Sequence, residues 1–362
     1  MKNIDIARFQ KALVAWYLGN QRALPWRNTD DPYSIWVSEV MLQQTQVNTV
    51  LPYYRNFLKK FPTVKHLARA QLQDVLKLWE GMGYYARARN LHRAAGIVDR
   101  ELNGFIPANW DTFRRLPGVG DYIAAAVLSI AFDQPYAVVD GNVKRVLARL
   151  QRIDAPVNGT VSARTFKITA EDLKDKRRPG TYNQALMELG ALICKPKTPL
   201  CDKCPVQSFC KAYQTNTVAA YPRKTARRQA PHYHIAVGVV IKGDRILITQ
   251  RKPDGLLGGL WEFPGGKIKM GEEAEAACVR EIKEEVNLKI KVIEHLARVK
   301  HAYTHFKISM DVFCCEYLAG RIKRNGPVDH RWIKISAIDR YPLPKANHKF
   351  LPQLKSWLEE VS

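Results

Sequence analysis

Four cysteines fall within 17 residues, at Cys194, Cys201, Cys204 and Cys210, in the spacing C-x6-C-x2-C-x5-C. Thiolates at this density bind zinc or an iron–sulfur cluster. Zinc sites usually pair two C-x2-C knuckles, and only Cys201 and Cys204 are so paired. The uneven spacing therefore points to a loop wrapped around a larger cluster. Glu39 lies in WVSEVMLQQTQV, between Ser38 and Val40 on an otherwise apolar helix. A charged carboxylate is costly to bury there, so burial should raise its pKa and suit it to act as a general acid near neutral pH. Asp140, in AVVDGNVKRVL, follows an apolar stretch and opens a helix. It can cap that helix. Glu281, Glu284 and Glu285 stand at i, i+3 and i+4 and so share one helix face. Clustered carboxylates repel unless a hard cation neutralises them, and Mg2+ held with pyrophosphate oxygens is the natural partner.

These residues must be positioned by two kinds of element. Apolar positions recur at helical spacing in IARFQKALVAWYL and DYIAAAVLSIAF, and residues 1–213 read as mostly helical. Between two such helices, LPGVG (Leu116–Gly120) carries Gly118 and Gly120, which allow a backbone turn that either simply connects the helices or bares N–H groups to a phosphate. After residue 213 the character changes. YPRKTARRQAPHYH has two prolines and the basic residues Arg223, Lys224, Arg227 and Arg228, and reads as a linker. HIAVGVVIKGDRILITQRK then alternates around a central Gly-Asp, a β-hairpin signal. Helical AEAACVREIKEEV and further strand-like text complete an α/β domain. The expected division is 1–222 helical with the cysteine loop 194–210, 223–231 linker, and 232–362 α/β.

Of the 362 residues, 57 are Lys or Arg and 34 Asp or Glu, for a net charge of +23. That excess attracts polyanions, with nucleic acid the leading candidate. Hydrophobic residues at 46% and charged residues at 25% exclude wholesale disorder. No apolar run approaches the ~20 residues of a membrane span. The start MKNIDIARFQ has no signal-peptide character, and seven cysteines, an odd number, do not suggest a disulfide framework. A soluble cytoplasmic, nucleoid-associated monomer is expected.

LPGVGDYIAAAVLSIAF, then VVDGN, then the cysteine loop resembles, in order and spacing, the helix-hairpin-helix DNA glycosylases that carry a 4Fe-4S cluster. With LPWR, Glu39 and QQTQV, the likeness narrows to adenine DNA glycosylases of the MutY type, which remove adenine mispaired with 8-oxoguanine or guanine in double-stranded DNA. The resemblance implies a base-excision-repair hydrolase acting on an N-glycosyl bond. In it Glu39 protonates adenine N7, Asp140 stabilises the cationic sugar, and Glu39 then helps water attack. Trp26, Arg27, Tyr122 and Gln184 would line the adenine pocket. Asn142 would hold Asp140 and the catalytic water, and Gln44 and Tyr84 would wedge into the DNA stack. The cluster would be structural. Glycosylases that also cut the strand carry a nucleophilic Lys where this chain has Tyr122, so an endonuclease III-like glycosylase/lyase is the less favoured alternative. Lys144 could trap an opened sugar adventitiously.

GGKIKMGEEAEAACVREIKEEVNL fits the Nudix box from Gly266 to Leu288, with Asn287 in place of its Gly. Asn is the second choice for a left-handed helix end. The second domain thus resembles a MutT-like Nudix domain. In the adenine glycosylases that domain reads 8-oxoguanine, by a loop matched here by Tyr303, Thr304 and His305. Its nearly complete box also implies the alternative that it hydrolyses 8-oxo-dGTP with Mg2+, and YPLPKAN, ending at Asn347, resembles a purine-reading segment.

Overall fold

A computed structural model describes residues 5–159, 162–226 and 229–361. Arg227 and Arg228 of the expected linker lie outside the described residues. The contacts divide the chain into two units. One takes the chain up to Arg69 and from Arg93 to the linker; the other takes Ala70–His92 and everything after the linker. The sequence places residues 70–92 with the helical domain, but they pack on the C-terminal unit. Among the described residues no helix is long and apolar enough to cross a membrane.

The helices are α1 (Ile6–Asn20), α2 (Pro32–Leu42), α3 (Val47–Lys60), α4 (Val64–Arg69), α5 (Leu72–Trp79), α6 (Ala86–Glu101), α7 (Trp110–Arg114), α8 (Asp121–Phe132), α9 (Gly141–Gln151), α10 (Ser162–Leu173), α11 (Pro179–Leu192), α12 (Lys211–Gln214), α13 (Ala274–Val286) and α14 (Leu351–Glu360). Their starts are chemically specified. Asp31 caps α2 by accepting from the N–H groups of Tyr33 and Ser34, with Pro32 at the first turn. Every residue of α2 from Ile35 to Met41 is buried, so this helix is enclosed on all sides. Gly118, at φ +78°, makes the turn into α8, and Gly120 is its N-cap. Asp140 caps α9 through the Val143 N–H at 2.6 Å. In the helical unit α1, α9, α10 and α11 surround one core that includes Phe9, Leu13, Leu147, Phe166, Tyr182 and Leu189.

The C-terminal unit is built on a seven-stranded mixed sheet. Its strands are β1 (His232–Lys242), β2 (Arg245–Gln250), β3 (Trp261–Glu262), β4 (Gly265–Lys267), β5 (Lys289–Ala302), β6 (Lys307–Ala319) and β7 (Asp329–Ile333). The main order is β3-β2-β1-β6-β5, with β4 on β1 and β7 on β2. Only β1 and β6 run parallel. Gly243 and Asp244 form the two-residue turn of the β1–β2 hairpin, with Gly243 at φ +57°. Alternation along β1 separates two cores. Ala236 and Val240 face Cys278, Ile282 and Val286 of α13, while Val237 and Val239 join Phe350 and Leu354 near α14. Helix α13 ends at Asn287, which adopts the left-handed conformation at φ +60°.

Close packing of α8 and α11 depends on a missing side chain. A Cβ on Gly180 would lie 2.5 Å from the Ser129 carbonyl oxygen and 2.9 Å from Ile130 Cα. Both are backbone atoms and cannot swing aside. Gly180→Ala is expected to cost ~1–3 kcal/mol of stability, read as a lower urea midpoint with an unchanged slope. An unchanged midpoint would show that the two helices have slack.

Candidate active site

A cavity of about 480 Å3 in the helical unit is lined by Trp26, Arg27, Glu39, Tyr122, Asp140, Asn142 and Gln184. All seven are expected site residues, and they come from five different segments. Glu39 is 4% exposed on the enclosed helix α2. The Tyr122 hydroxyl, from the first turn of α8, donates to its Oε2 at 2.5 Å. Burial, with Asp140 adding like charge, pushes the Glu39 pKa up to about 7, against the lowering effect of Tyr122 and Arg27. Burial and the two neighbouring carboxyls push Tyr122 far up, so its hydroxyl stays protonated and donates. Glu39 is therefore a carboxylic acid holding a proton near neutral pH, inside a cavity large enough for a small molecule.

Asp140 is raised by burial but held down by the Val143 N–H, the Asn142 amide and Arg145. Asn142 Nδ2 donates to Asp140 Oδ2 at 3.0 Å. Arg145 Nη2 in turn donates to Asn142 Oδ1 at 2.9 Å, and Arg145 Nε donates to the Cys194 carbonyl at 2.8 Å. The cap geometry and this chain of bonds fix the Asp140 carboxylate at the cavity wall. Two carboxyl groups in different environments thus share one cavity, the arrangement by which acid and charge stabiliser are separated in hydrolysis of sugar bonds.

Glu188 also lines the cavity and was not singled out by sequence. It is fully buried, and it accepts from both Arg22 and Arg27. Burial pushes its pKa upward, but the two guanidiniums hold it at about 2. The signal was available: Glu188 interrupts ALMELGAL as Glu39 interrupts WVSEVML. Arg27 is accordingly committed to Glu188, and its guanidinium also lies 5.3 Å from the Tyr17 ring centre. Trp26 stands edge-on to Tyr54 at 5.1 Å, and Gln184 accepts from the Tyr17 hydroxyl.

Cys194, Cys201, Cys204 and Cys210 line one small cavity, and none forms a disulfide. Among the described residues no three thiols, imidazoles or carboxyls are arranged to hold a single metal ion. The four thiols share the lining of one cavity, and thiolates are the ligands of zinc and iron–sulfur centres. Arg149, 3% exposed, donates Nη1 to Cys194 Sγ at 3.3 Å and to the Lys195 carbonyl. Such a donor suits a thiolate ligand.

Gly118 is exposed at the hairpin, as a phosphate contact requires, and Gly120 has open space where a Cβ would stand. Gln44 is exposed at φ +58° and lies outside the residues lining the cavity. Tyr84, at φ +51°, belongs to the C-terminal unit. Its hydroxyl donates to Thr304 Oγ1 at 2.8 Å, and its ring stands edge-on to His305. Lys144 donates to the Val157 carbonyl at 3.4 Å.

The expected Mg2+ carboxylates have these partners. Arg280 takes Glu281 at 2.8 Å and Glu284 at 3.1 Å, besides a two-bond clamp on Glu272. Glu285 accepts from the Gly265 N–H at 2.9 Å, with Glu281 near enough to add like charge. Burial and the nearby Glu262 push Glu285 up to about 7. A shared helix face brings carboxylates near one another, but the box's own arginine neutralises two of them.

Residues 37–170 match the HhH-GPD superfamily of base excision DNA repair proteins, and residues 236–353 match the NUDIX domain. The solved structure of a thermostable thymine-DNA glycosylase superposes with a TM-score of 0.53 at 29% identity, covering 58% of this chain and 97% of that one. The adenine DNA glycosylase of Homo sapiens is 37% identical, covering 85% of this chain and 67% of the relative. That of Mus musculus is 39% identical, covering 85% of this chain and 70% of the relative. With this likeness across both units and the acid, tyrosine and aspartate gathered in one cavity, the chain belongs to the adenine DNA glycosylase family.

Proposed function

We propose that this protein removes adenine mispaired with 8-oxoguanine, or with guanine, from double-stranded DNA by acid-assisted hydrolysis of the N-glycosidic bond. The observation that carries the reading is the buried Glu39, its pKa pushed up by that burial, held by Tyr122 in one cavity with Asp140. A stacked adenine is out of reach of that cavity, so the nucleotide must be flipped into it. Glu39 delivers its proton to the base, N7 being the acceptor implied by the family. The glycosidic electron pair leaves with the adenine, and positive charge develops on the sugar. Asp140, anchored by its cap bond and by Asn142, is the anion placed to stabilise that charge. Glu39, now ionised, is the base for the attacking water.

Tyr122 occupies the place of a lyase lysine with its hydroxyl on Glu39, which favours hydrolysis over strand cleavage. The four cysteines would hold a 4Fe-4S cluster whose contribution is to fix the loop that carries Lys195, Lys197, Lys203 and Lys211 for backbone phosphates. In the C-terminal unit, Thr304 and His305 beside Tyr84 support a loop that reads the base opposite adenine.

Glu39→Gln should still bind the mispair but lower single-turnover adenine release by ~100–10,000-fold; near-normal release contradicts the assignment. In the native protein the rate should fall about tenfold per pH unit above the Glu39 value of about 7, where the acid is lost. The same shift predicts stability. The folded pKa lies above the unfolded one, so the advantage of the protonated group is full below pH 4.5 and lost as pH rises through about 7. Glu39→Gln should therefore gain ~2–3 kcal/mol over the native protein at pH 8 and almost nothing at pH 4, measured by urea unfolding. Cys201→Ser should lose the visible absorbance of the cluster together with DNA affinity; unaltered spectrum and binding contradict the cluster.

A further inference from the structure

The glycine hairpin expected to meet a DNA phosphate carries an acid at its edge. Gly120 is the N-cap of α8, and Asp121, the first residue of that helix, is the acidic residue of its first turn. The positive end of a helix dipole favours an anion, whether a carboxylate or a phosphate. Asp121 and a backbone phosphate at the hairpin are therefore like charges drawn to one place. On a chain with a net charge of +23, an acid here works against the attraction that the rest of the surface supplies.

Two cations hold this carboxylate. Arg114, on α7, donates Nε to Asp121 Oδ1 at 2.8 Å and Nη1 to the Val119 carbonyl at 2.9 Å, so it bonds to the turn as well as to the acid. Lys167, on α10, donates Nζ to Asp121 Oδ2 at 3.3 Å and lies 5.9 Å from the Trp110 ring centre. Arg114, with Lys167 adding to it, holds the Asp121 carboxyl below its usual range. All three side chains are exposed. Exposed ion pairs contribute little to stability, so the weight of this cluster falls on the charge that approaches it. With the carboxylate in place the cluster carries one net positive charge; without it there would be two.

We propose that Asp121 is an electrostatic brake on DNA binding: it offsets Arg114 and Lys167 beside the hairpin and so lowers affinity for the duplex backbone, whatever the sequence. Binding to undamaged duplex rests on backbone charge, and undamaged duplex vastly outnumbers mispairs. A brake at the hairpin shortens each stay on ordinary DNA. The proposal rests on duplex DNA being the partner; it does not rest on the chemistry at Glu39.

The test follows the fluorescence anisotropy of a labelled, undamaged duplex between about 50 and 200 mM KCl. Asp121→Asn keeps the size and one accepting oxygen but removes the charge. It is expected to bind ~3–10-fold more tightly at the low-salt end. The slope of log K against log salt should steepen by ~0.9, the value for one further cation. A duplex with an A:8-oxoguanine mispair should show the same gain, with the plateau rate of single-turnover adenine release unchanged. Lys167→Gln, which leaves Arg114 on the hairpin, should weaken binding by a similar factor. The double variant should return to the native affinity, with circular dichroism confirming that each variant is folded. A purely structural brace would give the opposite sign: Asp121→Asn would bind more weakly, and the double variant more weakly still. Native or weaker binding by Asp121→Asn overturns the proposal, as does a double variant that fails to return to the native affinity. A native chain that binds duplex but releases no adenine overturns the glycosylase reading and leaves the brake standing.

Discussion

The helical unit buries one carboxyl, Glu39, in a cavity whose arginine, Arg27, is bonded to a different carboxylate, Glu188. Glu39 sits on a helix enclosed on all sides, and it accepts from a tyrosine hydroxyl, a donor that cannot neutralise a negative charge. Burying an ionised carboxylate alone costs several kcal/mol, so the group keeps its proton instead. The cation that would have pulled it down is engaged elsewhere: Arg27 belongs to Glu188. The cavity thus holds two buried glutamates with opposite fates. One is an acid at neutral pH, the other a permanent anion at about 2. Their environments, not their chemistry, divide the roles.

The supporting elements follow from that requirement. Tyr122 must reach Glu39, so α8 must start beside α2, and the glycine turn at Gly118 sets where α8 starts. Asp140 stands close by, its pKa raised by burial, and a helix N-terminus with an Asn and an Arg behind it works against that rise. Arg145 and Arg149 carry the same scaffold to Cys194, so order in the cysteine loop and order at Asp140 are parts of one hydrogen-bonded framework.

Those features that depend on local pattern were legible in the sequence. Glu39 and Asp140 stand out because each breaks an apolar run, the cysteines because of spacing, and α13 because its stripe and its Asn287 end obey helical rules. Features that depend on which distant group arrives first were not. Nothing near Arg27 in sequence says that Glu188, 161 residues away, will claim it. Nor does the glutamate pattern of α13 say that Arg280 will take two of its members. The assignment of residues 70–92 was hidden for the same reason. Gln73, Lys77, Glu80 and Arg89 look like ordinary helix-surface residues, yet they bond to Gly259, Tyr341, Leu343 and Gly258 of the C-terminal unit. Tyr84, on that same segment, is thereby tied to Thr304 and His305 rather than to the helical core.

The central claim is that Glu39 is a neutral acid because it is buried, and its titration can be observed without any substrate. Glutamate labelled with 13C at the side-chain carboxyl, followed by NMR across pH 4–9 in the native protein, isolates the Glu39 signal by its loss in the Gln variant. The account predicts a midpoint near the value of about 7 that burial imposes. A midpoint at the ordinary ~4.3 of an exposed glutamate would show that the proton is not held, and that the acid in this cavity is some other group.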